Sequence, residues 1–95
     1  MTTVTFVEGA SCLIIRAKGH ADDTETCAAI SMLLTTFANW AANYGLTRQK
    51  LEAGDSTVTI PADETAVELA DIAFQLLADD GKIVLKKVQK LGQDL

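Results

Sequence analysis

Several residue types that mark specialised small domains are scarce in this chain. Its 95 residues include one proline, one histidine and two cysteines. Two cysteines are too few for the disulfide framework of a small secreted domain, so we expect both to be reduced thiols. No apolar run reaches the ~20 residues that a membrane-spanning helix needs, and no basic segment followed by an apolar one suggests a signal peptide. We therefore expect a cytoplasmic protein without a membrane partner.

Positive charge and aromatic side chains are scarce as well. The 8 lysines and arginines are outnumbered by 13 aspartates and glutamates, which gives a formal net charge of −5. Only 5% of the residues are aromatic, and no basic stripe with interleaved aromatic side chains is present, so we expect no nucleic-acid partner. The 48% of hydrophobic residues is typical of a folded globular chain, and the length allows one domain, 1-95.

The N-terminal part of the chain predicts a β-hairpin. Residues 3–7 and 12–18 both alternate in the way of half-buried strands, and they are rich in β-branched side chains. The Glu-Gly-Ala-Ser segment between them is a turn signal. The side chains predicted to face the core are Val4, Phe6, Leu13, Ile15 and Ala17.

A long amphipathic helix is predicted over residues 24–44. Thr24 is the first choice for its N-cap, with the hydroxyl accepting from the Cys27 amide, and Asp23 is the alternative. Gly45 is placed as a C-terminal glycine should be. Apolar residues recur at helical spacing and form one predicted core stripe: Ile30, Leu33, Leu34, Phe37, Ala41 and Tyr44.

The second half of the chain repeats the strand–strand–helix pattern. A weaker strand is predicted over 48–53, with Leu51 and Ala53 on one face, and a stronger one over 56–60, closed by Pro61. Between them lies a Gly-Asp turn dipeptide. Asp63 is the predicted N-cap of a helix that runs to about Ala78. The predicted core stripe of this helix is Ala66, Leu69, Ala70, Ala73, Leu76 and Leu77.

The C-terminal residues leave two interpretations open. Residues 82–89 fit a last strand or a third helix, and the β-branched start after a glycine favours the strand. Residues 91–95 are expected to fray. Short hairpin connections imply antiparallel pairing, and two amphipathic helices need a sheet face to cover. The predicted fold class is α+β, a two-layer sandwich with a mainly antiparallel sheet, two helices on one face and the order ββαββα(β).

His20 and Cys27 are the residues whose chemistry stands out. The histidine lies on the loop after the hairpin, and the cysteine lies at the start of the long helix. The free N–H groups and the positive end of the dipole at a helix start favour a thiolate, and so does a neighbouring imidazolium. Such a pair supplies a nucleophile and a general acid. The amides of Cys27 and Ala28 are candidate oxyanion donors, and their small side chains leave room for a substrate backbone.

Structural interpretations of the same residues remain open. Cys27 shares a helical face with Ile30 and Leu34, and since cysteine is among the most buried residue types, a core position is the ordinary interpretation. A lone loop histidine is commonly solvated. A metal site built from His20, Asp22, Asp23 and Cys27 lacks the paired spacing of zinc motifs, so we expect no metal and no cofactor. Cys12 lies in mid-strand and is interpreted as structural.

The motifs around His20 and Cys27 resemble those of a known family. Gly-His-Ala at 19–21, followed by Cys-Ala-Ala-Ile-Ser at 27–31, is similar to the ribosomal-processing cysteine proteases called Prp. The resemblance implies a small α+β fold, a homodimer and a His–Cys dyad. It implies His20 as the catalytic acid and base, Cys27 as the nucleophile and Ser31 as a substrate contact. The implied partner is a peptide segment of a ribosomal protein extension or of a phage capsid or scaffold protein, cut at a short apolar, aromatic motif.

Two departures from the family pattern keep an alternative open. The loop from His20 to Cys27 is shorter than usual, and Thr24 stands where the family has an aspartate. Asp22, Asp23 and Glu25 are the residues that offer a carboxylate nearby. The alternative function is a non-catalytic dimeric binding module that keeps the fold.

Overall fold

Five strands and two helices follow one another in the predicted order, and the last element is a strand. The computed structural model describes residues 1–89, so the expectation for 91–95 lies outside the described residues. The elements are β1 (Thr2–Glu8), β2 (Cys12–Lys18), α1 (Thr24–Ala42), β3 (Lys50–Glu52), β4 (Asp55–Pro61), α2 (Glu64–Asp79) and β5 (Ile83–Gln89).

The strands form one mixed sheet in the order β3-β4-β2-β1-β5. All neighbouring pairs are antiparallel except β1 and β5, which run parallel. The expectation of a mainly antiparallel sheet is therefore confirmed. These directions make β2 parallel to β3, and β4 parallel to β5, with other strands in between. Each of the two helices thus carries a crossover between parallel strands, which is the connection that places helices on a sheet face.

One face of the sheet forms the core with both helices. Val4, Phe6, Ile15, Val58 and Ile60 are fully buried on this face, which confirms the predicted alternation. They belong to a single cluster that also includes the buried side chains of α1 and α2. The opposite face has no helix in the described part of the chain. It presents mainly threonine and charged side chains, as a two-layer sandwich requires.

Helix α1 begins and ends with local hydrogen bonds that differ in part from the prediction. The N-cap is Asp23, the alternative choice, because its carboxylate accepts from the Thr26 N–H at 2.7 Å. At the other end, the Leu46 N–H donates to the Ala41 carbonyl, and Gly45 has φ +82°. This pattern is a Schellman motif, which ends the helix at Ala42. Tyr44 therefore lies beyond the helix and is exposed, so its predicted core position was wrong.

Helix α2 is capped by Asp63 as predicted, but the face that it buries is rotated about the helix axis relative to the predicted one. The Asp63 carboxylate accepts from the Ala66 N–H at 3.0 Å. Phe74 is fully buried and meets Phe6 edge-on, with ring centroids 5.6 Å apart. Leu69 and Leu76 are 55% and 65% exposed, so the prediction that they face the core was wrong. The large Phe74 ring sets the rotation of the helix because it buries more apolar area than a leucine.

The rotation of α2 can be tested with two truncations on the same helix. We expect Phe74→Ala to lower the free energy of unfolding by about 3–5 kcal/mol, since it empties the centre of the core. Leu76→Ala should change it by no more than about 0.5 kcal/mol, because the side chain is already in water. Urea unfolding of both variants measures the difference. An equal loss in the two variants would contradict the rotated face.

Candidate functional site

A cleft of about 290 Å³ lies between the start of α1 and the hairpin of β3 and β4, beside the loop that follows β2. Three of the four predicted site residues line it: His20, Cys27 and Ser31. Ser31 lies one helical turn after Cys27 on the same side of α1. Ala28 is exposed about 100° further round the helix and is not among the residues that line the cleft.

His20 is held against the hairpin of β3 and β4. The Gly19 N–H donates to the Gly54 carbonyl at 2.9 Å, which ties the histidine loop to the turn of the hairpin. The imidazole lies directly over Gly54, since a Cβ at that position would be 2.8 Å from both Cε1 and Nε2. Gly54 thus provides the left-handed turn, at φ +77°, and the space for the ring.

Buried polar side chains gather at this end of the molecule. Thr2 and Ser56 are buried, and both line the cleft. The Thr2 hydroxyl donates to the Gly19 carbonyl at 3.3 Å, and the Ser56 hydroxyl donates to the Glu52 carbonyl at 2.9 Å. Each buried hydroxyl therefore has an acceptor, which removes the penalty of burying it. These bonds attach the histidine loop and the hairpin turn to the sheet.

Cys27 is exposed at the cleft, so its interpretation as a core residue was wrong. With Asp23 as N-cap, Cys27 is the fourth helical residue, one position further in than the sequence predicted. The buried residue of this turn is Thr26, whose hydroxyl donates to the Asp23 carboxylate at 2.9 Å. Helix α1 is therefore rotated so that Thr26 faces the core, while Asp23 and Cys27 are exposed.

The expected oxyanion donors are already engaged in the helix. The Cys27 N–H donates to the Asp23 carbonyl at 3.2 Å, which is the first ladder bond of α1. Ala28 lies one residue deeper in the same ladder. Thr24 and Glu25 precede Cys27 in the helix, and their N–H groups have no carbonyl partner within it. The Thr26 N–H is in the same position but is capped by the Asp23 carboxylate. The prediction that Cys27 offers a free amide was therefore wrong.

Charged side chains lie at the start of α1 and on the hairpin of β3 and β4. The Thr26 N–H and hydroxyl hold the pKa of the Asp23 carboxyl below its ordinary value, and Lys82 contributes from 3.6 Å. On the hairpin, the hydrogen bond from Lys50 to Asp55 at 2.6 Å lowers the pKa of the carboxyl and raises that of the amine. Two carboxylates at the start of α1 are thus paired, Asp23 with Lys82 and Asp22 with the N-terminal amine.

The structure brings His20 and Cys27 to one cleft without joining them. Within residues 1–89, no hydrogen bond links the imidazole to the thiol. His20 instead packs on the hairpin turn. Catalytic hydrogen bonds are often long or absent before substrate binds, so this arrangement is compatible with a dyad that closes later. It is equally compatible with a site that binds without reacting.

No protein-family model matches the chain, and no curated protein matches it either. Within the described part of the chain, no three histidine, cysteine, aspartate or glutamate side chains are grouped so that they hold a metal ion. Neither helix within residues 1–89 has both the length and the hydropathy needed to cross a membrane.

The residues that sequence reasoning missed are those of the hairpin between β3 and β4. Leu51, Gly54 and Ser56 all line the cleft opposite Cys27. Their sequence signals were a weak strand pattern and a Gly-Asp turn. These signals indicate a hairpin, but they do not indicate that the hairpin lies beside the loop of His20. The pairing of β4 with β2, which sets Asp55 opposite Lys18, brings that turn to His20.

Because the His20 ring packs on Gly54, we predict different effects for alanine substitutions at Gly54 and Gly45. Gly54 and Gly45 have similar left-handed backbones, at φ +77° and +82°, so each substitution should cost roughly 1–2 kcal/mol in strain. A Cβ at Gly54 also meets the His20 ring, whereas one at Gly45 meets nothing. We expect Gly54→Ala alone to shift the imidazole resonances of His20 in NMR spectra. Identical imidazole spectra for the two variants would contradict this placement.

The Asp23 cap predicts a pH dependence of stability. Because its folded-state pKa is lowered from 3.8, the carboxylate stabilises the fold above that pH, and this stability is lost as the pH falls through the lowered pKa. Asparagine caps a helix without titrating in this range. We expect Asp23→Asn to lose less stability than wild type between neutral pH and the acid region in urea unfolding. Glu25→Gln, which removes a charge from the same turn but no cap, should retain the wild-type dependence.

Proposed function

We propose that the chain is a cysteine endopeptidase of the cytoplasm that uses His20 and Cys27. The substrate proposed from the resemblance is a peptide segment of a ribosomal protein extension or a phage structural protein, with a short apolar, aromatic motif. We propose that it acts as a homodimer. The observation that supports the activity is the cleft that His20, Cys27 and Ser31 share.

The proposed reaction uses only groups at this cleft. The Cys27 thiolate attacks the carbonyl carbon of the scissile peptide bond and forms a tetrahedral adduct. The His20 imidazolium gives its proton to the leaving nitrogen, so that the C–N bond breaks and an acyl-enzyme remains. The neutral imidazole then takes a proton from water, which hydrolyses the thioester. An exposed thiol suits this sequence of steps because both the substrate and the water must reach the sulfur.

Substrate approach is also favoured by the cleft. Its lining combines apolar side chains, such as Ile30 and Leu34, with the hydroxyls of Ser31 and Ser56. Apolar walls with a few polar groups are typical of ligand sites. Its volume lies near the lower end of the range for such sites, roughly 300–1,000 Å³. An apolar side chain of a substrate therefore fits better than a large charged one.

The second candidate is a non-catalytic dimeric binding module. The observation that favours it is the position of His20, which packs on Gly54 and has no hydrogen bond to Cys27 within the described residues. In this alternative the same cleft binds a peptide and releases it unchanged.

Thiol reactivity and peptide cleavage separate the two functions. We expect Cys27 to be alkylated faster than a model thiol near neutral pH, and His20→Ala to remove this advantage. The Cys12→Ala variant leaves Cys27 as the single thiol for this measurement. Wild type should cleave apolar, aromatic-containing peptides, and Cys27→Ala should not.

Two results would contradict the peptidase. One is an alkylation rate for Cys27 that matches the model thiol and does not change in His20→Ala. The other is equal cleavage by wild type and Cys27→Ala, which would remove Cys27 from the reaction. Peptide binding without cleavage, together with ordinary thiol reactivity, would establish the binding module instead.

A further inference from the structure

Strand β3 is an open edge of the sheet next to the cleft. It is the first strand in the sheet order, and Lys50, Leu51 and Glu52 are all exposed. In the described part of the chain, β4 is its one strand neighbour. Edge strands present unpaired N–H and C=O groups and therefore pair readily with an additional strand. Glu52 and Leu51 belong both to this edge and to the lining of the cleft.

The register of the hairpin shows which main-chain groups face outward. Glu52 pairs with Asp55 across the two-residue turn, and Leu51 pairs with Ser56. Residues that flank a two-residue turn form a hydrogen-bonded pair, so the next pair is of the non-hydrogen-bonded kind. The N–H and C=O of Leu51 therefore point away from β4. They are the groups of β3 that a new strand would meet.

The Leu51 side chain shows which face of the sheet a side chain of a bound segment would share. It is 48% exposed and lines the cleft together with Cys27 and Ser31. A residue directly opposite Leu51 on an added strand would place its side chain on the same face of the sheet. That face is the one on which α1 packs. The opposing side chain would thus lie on the cleft side of the sheet, next to Leu51.

We propose that an extended peptide segment binds by adding a strand to β3, with hydrogen bonds to the N–H and C=O of Leu51, so that one apolar side chain enters the cleft. This inference rests on the proposed function, and it describes how the same site selects its peptide. Main-chain pairing supplies affinity that does not depend on sequence, while the cleft selects the side chain. A proline at the pairing residue is excluded, because it has no N–H to give to the Leu51 carbonyl.

Two substitutions at Leu51 test the main chain and the side chain separately. Leu51→Pro removes the outward N–H but no bond to β4, and proline is tolerated at such edge positions. Leu51→Ala keeps both main-chain groups and trims only the side chain. Binding is measured by NMR in the Cys27→Ala background, with a pool of short apolar, aromatic-containing peptides. We expect Leu51→Pro to weaken binding about three- to tenfold, the effect of one lost hydrogen bond.

A scan of N-methylated peptides gives an independent measurement that leaves β3 unchanged. Methylation removes one peptide N–H at a time, so in the Cys27→Ala protein we expect a single position to weaken binding. The same position should be sensitive when Leu51→Ala is added, because that variant keeps the main-chain acceptor. Unchanged binding in Leu51→Pro, an N-methyl scan without a sensitive position, or no binding of any peptide would overturn strand addition. Cleavage by wild type is scored separately, so the peptidase can fail while strand addition holds, or the reverse.

Discussion

The burial of one face of a five-stranded sheet under two helices is the constraint on which the rest of the structure depends. The side chains of Val4, Phe6 and Ile15 lie at the centre of that face and are buried by the two helices, so both crossover helices lie on the same side of the sheet. The edge-on contact between Phe6 and Phe74 then sets the rotation of α2. Since a chain of this length buries a modest core, each of these contacts is a large share of its stability.

The cleft forms at one end of the sheet, where the helix layer begins with the first residues of α1. Helix α1 starts at the end of the sheet where the histidine loop and the hairpin turn meet, so its first turns extend beyond the apolar core. Polar side chains are buried there only because each has a local acceptor, as with Thr2 and Ser56. The backbone bond between Gly19 and Gly54 fixes the distance between loop and turn. His20 and Cys27 therefore both lie at the rim of the cleft.

The charged groups at the start of α1 form local pairs. The carboxylate of Asp23 caps the helix by accepting from the N–H and the hydroxyl of Thr26. Lys82 offsets part of that charge. The His20 ring packs on Gly54, and within the described residues it makes no hydrogen bond to Cys27. In the peptidase that we propose, this ring has to move toward the sulfur.

The sequence alone determined the order of elements, the alternation of the strands, the Asp63 cap and the glycine that ends α1, because each depends on neighbours along the chain. It also singled out His20 and Cys27 by residue type. Tertiary structure decided the rest. Cys27 is exposed because the packing of α1 buries Thr26 in its place, and the outward position of Leu76 follows from the Phe74 ring. The hairpin turn beside His20 follows from strand order, which no local pattern records because it is set by pairing between distant segments.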